Sequence, residues 1–375
     1  MSYEKQGVDL FNSYFEDGRK VLKEISKLPP ETGRTMEFHD VGAREYEAIE
    51  DVLGETGRTS KPRLTYDYEK TSLLVEMPSA IHEAPFDCLK LSLGNSITAT
   101  SYDNDLIFPM VHMNSSLSVK EKSVTPDICI TVTPAVGPTK IVLVPFVGEC
   151  ACSEDKAHAI GKLKDTIAAH PDTQMAVLGL IREARPYSSP VKGSIAWKTL
   201  SKPNKTLPLA DFITKRHLPC TPITVAQHVW CHIRTVEVFV WVRGDDGSAI
   251  NLDNEDNMAH GTLLLDINMD AVKLMLKRGL GKIRDSLVTF SKQLNSEIDC
   301  TELEEAVIAL VIRWKDFVIA LNNGADVTAW RRYRAWHKKI IKDRLAGGSE
   351  LSRGRPKRKH TSTSLPPSRK SKRAL

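Results

Sequence analysis

The chain has 375 residues, 41% hydrophobic and 26% charged, an ordinary globular composition with ample length for a core. No apolar run approaches the roughly 18 residues that span a bilayer, and residues 1–20 lack the basic and apolar blocks of a secretory signal. The net charge of +5 is uneven: residues 353–375 carry nine Lys or Arg and no acid, and without them 43 basic residues face 47 acidic ones. Positive charge gathered in a tail argues against a broadly basic nucleic-acid-binding fold.

Residues 4–27 place Leu10, Phe11, Tyr14, Phe15, Val21, Leu22 and Ile25 at helical spacing, ending before Pro29-Pro30. A short helix is expected at 44–55, a loop at 57–63, a strand at 71–77 and a short helix at 84–94 closed by Gly94. Strands follow: NSITATS (95–101), LIFPMVHM (106–113), TPDICITVT (125–133) and KIVLVPFVGECAC (140–152). A helix over 155–169, N-capped by Ser153 with Glu154 and Asp155 at its positive end, leads to the strand QMAVLGLIRE (174–183). TVEVFVWVR and SAINL around Gly244-Asp245-Asp246-Gly247 read as a hairpin. Helices are then expected over 269–294, from the Thr301/Glu304 capping box to Asn323-Gly324, and over 328–345. The order predicts an α/β fold: a mixed sheet flanked by helices. It divides into a mostly helical region (1–79), an α/β core with a hairpin extension (80–260), a helical region (261–346) and a disordered tail (347–375).

Asp127 opens one strand and Glu149 closes its neighbour, so the two carboxylates can meet and hold one hard divalent cation. The plainer reading makes Asp127 a turn former after Pro126 and leaves Glu149 solvated. The segment resembles the PD-(D/E)XK nuclease-like, or restriction-endonuclease-like, core over about residues 80–185. The resemblance implies Mg²⁺ on Asp127 and Glu149, a lysine near the attacking water, and phosphodiester hydrolysis. It departs from the pattern at Ala151, where the family has lysine. A lysine on the following helix is the expected substitute. With Ile160, Leu163 and Ile167 as the buried face, Lys164 is preferred, Lys156 is second, and Lys162 points nearly opposite. The stretch VGECACSEDKAHAIGKLKDTIAAHPD also resembles uncharacterised fungal proteins.

The tail resembles an AT-hook. Arg353 and Arg355 flank Gly354 and precede Pro356, an extended unit suited to a narrow minor groove, while Lys357, Arg358 and Lys359 would meet phosphates. The plainer reading of the same residues, with 368–373, is a nuclear-import address. The expected partners are therefore nucleic acid, chiefly DNA, and the import machinery, with no membrane. A non-catalytic DNA- or chromatin-binding module, or a protein-interaction scaffold, is the competing class. The helix over 328–345 sets aromatics against a basic arc, either a phosphate-facing surface or a docked helix with a solvated back. Gly244–Gly247 could mimic a polymerase metal hairpin, but Asp-Gly is ordinary turn chemistry. Cys220, His228, Cys231 and His232 lack zinc-ligand spacing. The seven cysteines are odd in number and scattered, as buried thiols would be.

Overall fold

The computed structural model describes residues 16–27, 35–55, 62–77, 79–119, 122–152, 156–202, 205–215, 218–219, 221–264 and 266–353. Helix α1 (Glu16–Lys27), strand β1 (Thr35–Phe38), helix α2 (Ala43–Glu55) and the hairpin strands β2 (Arg63–Asp67) and β3 (Ser72–Glu76) come first. With β5 (Leu117–Val119) and β6 (Lys122–Val124), these strands make an antiparallel sheet in the order β1-β3-β2-β6-β5. The helices bury Ile25, Tyr46 and Ile49 with Tyr66, Leu73 and Val75 of the sheet. Tyr46 and Tyr66 stack with ring centroids 4.5 Å apart, and their hydroxyls bond Ser123 and the Val41 carbonyl.

The larger sheet has six strands in the order β13-β12-β9-β8-β7-β4. It is built from helix α3 (Ala80–Thr98), β4 (Ile107–Met113), β7 (Ile128–Pro134), β8 (Leu143–Cys152), helix α4 (Lys156–Ala169) and β9 (Met175–Glu183). Then come the short helices α5 (Ile195–Leu200) and α6 (Leu209–Phe212), the separate hairpin β10 (Ile223–Val225) and β11 (His228–Cys231), and strands β12 (Ile233–Val242) and β13 (Met258–Leu264). Helices α7 (Asp270–Leu294), α8 (Thr301–Glu305) and α9 (Trp314–Arg353) close the described chain. Strands β8 and β9 are parallel across the α4 crossover, and the other neighbours are antiparallel. This is the expected class, a mixed sheet flanked by helices. β8 and β9 are nearly continuous apolar runs because both faces are covered. On one face Phe86, Ile130, Val177 and Leu280 share a core; on the other, α4 sets Ala159, Leu163 and Ile167 against Val147, Ala151 and Leu178.

Four local expectations are corrected. Helix α3 runs from the Ser79 cap to Thr98, through Gly94 and most of the stretch read as a strand. Burial of Leu93 and Ile97, and a hydrogen bond from Ser96 Oγ to the Ala309 carbonyl, override the local breaker. The sequence also misses β1 and β2, because a strand that begins at a charged Arg63 after a polar loop reads as more loop. β12 pairs with Met258–Leu264, not with 248–252; Ile250 and Leu252 of the connection pack onto the α4-side core instead.

The helix begun at Thr301, whose N–H donates to Asp299, stops at Glu305, and the next helix passes straight through Gly324. Gly324 is a crossing point rather than a terminus: a Cβ there would fall 2.7 Å from the Ala80 carbonyl oxygen on α3. Gly281, inside α7, has open space at the same position. Chemical denaturation should therefore separate two identical exchanges. Gly281→Ala is expected to stabilise by about 0.5–1 kcal/mol, and Gly324→Ala to destabilise by about 1–3 kcal/mol. Equal effects would mean that α3 and α9 do not cross in backbone contact.

Candidate functional site

The strand ends named by the sequence do converge, but inside the protein. Asp127 is 1% exposed and Glu149 3% exposed. Asp127 Oδ2 accepts the Cys150 N–H at 2.6 Å, which ties the start of β7 to the end of β8. His82, in the first turn of α3, brings Nε2 to 3.4 Å from the same oxygen. The other oxygen, Oδ1, faces Nη1 of Arg63 as an ion pair, without the alignment of a hydrogen bond. Arg63 comes from the small sheet, and its side chain is 3% exposed. Its Nε donates to Asn114 Oδ1 at 2.5 Å and its Nη1 lies 3.2 Å from the His82 ring nitrogens. Lys162 of α4 reaches Glu76 at the end of β3, 2.5 Å away. The site is thus a seam where the small sheet, the large sheet, α3 and α4 meet.

Its protonation follows from burial. Glu149 is pushed well above the ordinary carboxylate value, first by desolvation and then by the charge of Asp127. Burial raises Asp127 too, against the pull of Arg63 and Lys162. Of the two carboxyls, Glu149 is pushed further up. His82 is driven well below its usual value by burial and then by Arg63, so it stays neutral. Arg63 and Lys162 are set against Asp127 and Glu76, and Glu83 lies 3.8 Å from Arg63 and accepts from Asn114 Nδ2.

This donor set does not fit magnesium. A hard cation needs several ionised or strongly polar oxygens and room for water. Here Asp127 is engaged on both oxygens, by the Cys150 N–H and by a guanidinium that already supplies positive charge. Among the described residues, no group of three or more His, Cys, Asp or Glu is placed to hold a metal. Gly148 lies one residue before Glu149, and a Cβ there would meet Ile128 at 2.6 Å, a measure of how tightly β7 and β8 close on the dyad.

The preferred lysine lies elsewhere. Lys164 pairs with Asp253, with both side chains largely in solvent, and Lys156 sits 4.0 Å over the Phe239 ring. Lys162, expected to point away, is the helix lysine that reaches the cluster. Ile160 is only half-buried; α4 buries Ala159 and Thr166 with Leu163 and Ile167, and this turns Lys162 inward. Arg63, Glu76, His82 and Lys162 are the residues that sequence reasoning missed. Of the tail residues, Arg355, Pro356, Lys357, Arg358 and Lys359 lie outside the described residues, as do Ser153, Glu154, Asp155 and Cys220, while only the backbone of Arg353 is described. Asp245 pairs with Lys282 and Arg278, and Asp246 with Ser248, which are structural roles in a turn. Cys231 is buried and His228 bonds the Ser188 carbonyl.

Two measurements check this electrostatic picture. Arg63→Met should cost about 3–5 kcal/mol by leaving a buried carboxylate uncompensated, and adding Asp127→Asn should recover most of it. For Glu149 the folded chain holds a proton that the unfolded chain releases above the ordinary value of 4.5. Stability should therefore fall as pH rises from there through the raised folded value. Glu149→Gln should remove that slope in urea midpoints measured across the window; an unchanged slope would mean that Glu149 is ionised in the fold.

No family model matches the sequence, and no curated protein does. Among solved structures, a DUF820 protein from Anabaena variabilis, provisionally described as a nuclease, matches at 12% identity and a TM-score of 0.23. The match covers 31% of this chain and 64% of that protein's length, so less than two thirds of the neighbour is spanned.

Proposed function

We propose that the chain is a nucleic-acid-associated binding protein whose nuclease-like core is non-catalytic. One observation carries this reading: the Arg63 guanidinium stands against Asp127, in a dyad whose members are 1% and 3% exposed. A phosphodiester and its attacking water have no access there, and the charge a metal would supply is already supplied. Ala151, in place of the expected lysine, is consistent with this loss.

The nucleic-acid part rests on the chain's own charge distribution. Lys338, Lys339 and Lys342 are exposed on α9, while Tyr333, Trp336 and Ile340 dock its other side. The basic residues that follow, Arg353 to Lys359 and the second cluster at 368–373, extend this positive end of the chain. They would contact phosphates and the minor groove of DNA, and the same basic clusters would serve as an import address to the nucleus.

The test is to incubate the full chain with labelled DNA and RNA in Mg²⁺ or Mn²⁺. The expected outcome is retention that weakens steeply with salt, by about 0.9 in log affinity per log salt for each phosphate neutralised, and no cleavage. Alanine at Arg353, Arg355, Lys357, Arg358 and Lys359 should flatten that slope. Metal-dependent cleavage that disappears in Asp127→Ala would restore the enzymatic reading. Absence of both binding and cleavage would favour a protein-interaction scaffold.

A further inference from the structure

A solvent-open cleft of about 390 Å³ lies between the segment 184–188, strand β11 and helix α9. That volume falls within the range of small-ligand pockets, roughly 300–1,000 Å³. Trp230, fully buried, forms part of its lining, and Tyr187 stacks near it, with ring centroids 6.1 Å apart and planes 28° apart. His228 stands edge-on to both rings, at 4.8 Å from Trp230 and 6.3 Å from Tyr187. The Arg332 guanidinium lies 4.8 Å from the centre of the Tyr187 ring. It is fixed by both oxygens of Glu183, at 2.8 and 2.5 Å, and by the Trp230 carbonyl at 2.9 Å.

Several properties set this cleft apart from ordinary packing. A largely buried ion pair contributes little net stability against an apolar replacement, yet Glu183 and Arg332 are spent on holding a cation beside an aromatic wall. At the rim, Ala226 and Gln227 both adopt positive φ, 50° and 59°, in the tight turn between β10 and β11. Glycine or asparagine would take that turn with less strain. The His228 Nε2 faces the Ser188 carbonyl at 3.0 Å, so it carries the proton, and burial lowers the ring's pKa. Neutral His228 therefore keeps Nδ1 as an acceptor. Arg185 adds an exposed positive charge at the mouth.

Half-buried Tyr187, backed by Trp230, gives one aromatic wall, and with a polar edge and a cationic mouth it matches a flat heterocycle joined to an anion. A purely apolar ligand would waste the charged lining. A duplex cannot offer such a group, because its bases are stacked inside, whereas a single strand can splay one out. We propose that this cleft receives one base of a single-stranded nucleic acid, with Arg185 meeting the adjacent phosphate. The proposal rests on the nucleic-acid reading above, but it uses a surface separate from both the acidic cluster and the tail.

The experiment compares a short oligodeoxythymidylate with a duplex of equal length on the full chain, by fluorescence anisotropy. The variants are Tyr187→Leu, which removes the aromatic wall at similar volume, and Arg185→Glu, an exposed change that keeps the test open if the first fails to fold. The single strand should bind about tenfold tighter than the duplex. Each variant should erase most of that preference and leave duplex binding, which the tail would supply, as it was. Equal binding of both forms, or a preference untouched by the variants, would overturn the cleft while the nucleic-acid reading stands. Binding of neither form would overturn both.

Discussion

A charge sealed inside a protein must be answered by another charge, and in this chain that requirement is met at Arg63 and Asp127. Both side chains are almost wholly out of water. Desolvating two ions costs several kcal/mol each, and their attraction repays it only with the remaining polar atoms satisfied. The surroundings do this: Asn114 takes the Arg63 Nε, Cys150 gives its N–H to Asp127, and the His82 ring lies 3.4 Å from the same oxygen. The parts that provide these contacts are spread over β2, α3, the β4–β5 connection and β8. The seam is therefore less a pocket than a joint. It sets how the small five-stranded sheet meets the large mixed one, a role that apolar contacts alone would leave rotationally loose.

That joint also separates two ways of neutralising clustered acids. A hard metal ion demands several oxygens and tolerates water; a guanidinium demands one or two oxygens and a close fit, and works dry. Lys162 on Glu76 repeats the second solution a few residues away. The closely packed β7–β8 pair helps keep the region closed. The proposed binding is assigned to surfaces that stay exposed among the described residues: the lysines of α9 and the cleft beside Arg332.

Much of the large sheet was legible in the sequence, for a simple reason. β7, β8 and β9 are β-branched or apolar runs bounded by Pro, Gly or charge, and α4 follows with a clear helical period. The meeting of Asp127 and Glu149 was legible too, because strand direction alone brings those ends together. What the sequence hid were the partners. Arg63 is distant in the chain and opens a strand in another sheet, so nothing local marks it as buried. Lys162 was misjudged because the helix buries small residues, Ala159 and Thr166, that carry little hydrophobic weight in a pattern. Gly94 and Gly324 carry the local punctuation of helix ends, but the first is overridden by packing and the second permits a helix crossing.

The Arg63–Asp127 pairing also bears on how such a sequence can drift. Exchange of either residue alone exposes the chain to a loss comparable to a large part of a typical domain's 5–15 kcal/mol of stability. Intermediates on the way to a different arrangement would be poorly folded, so the two positions are bound to a common fate. Among descendants of one ancestor, the columns holding Arg63 and Asp127 would change together or stay fixed together. Such covariation would record the joint in sequence form, where neither residue alone gives any sign of it.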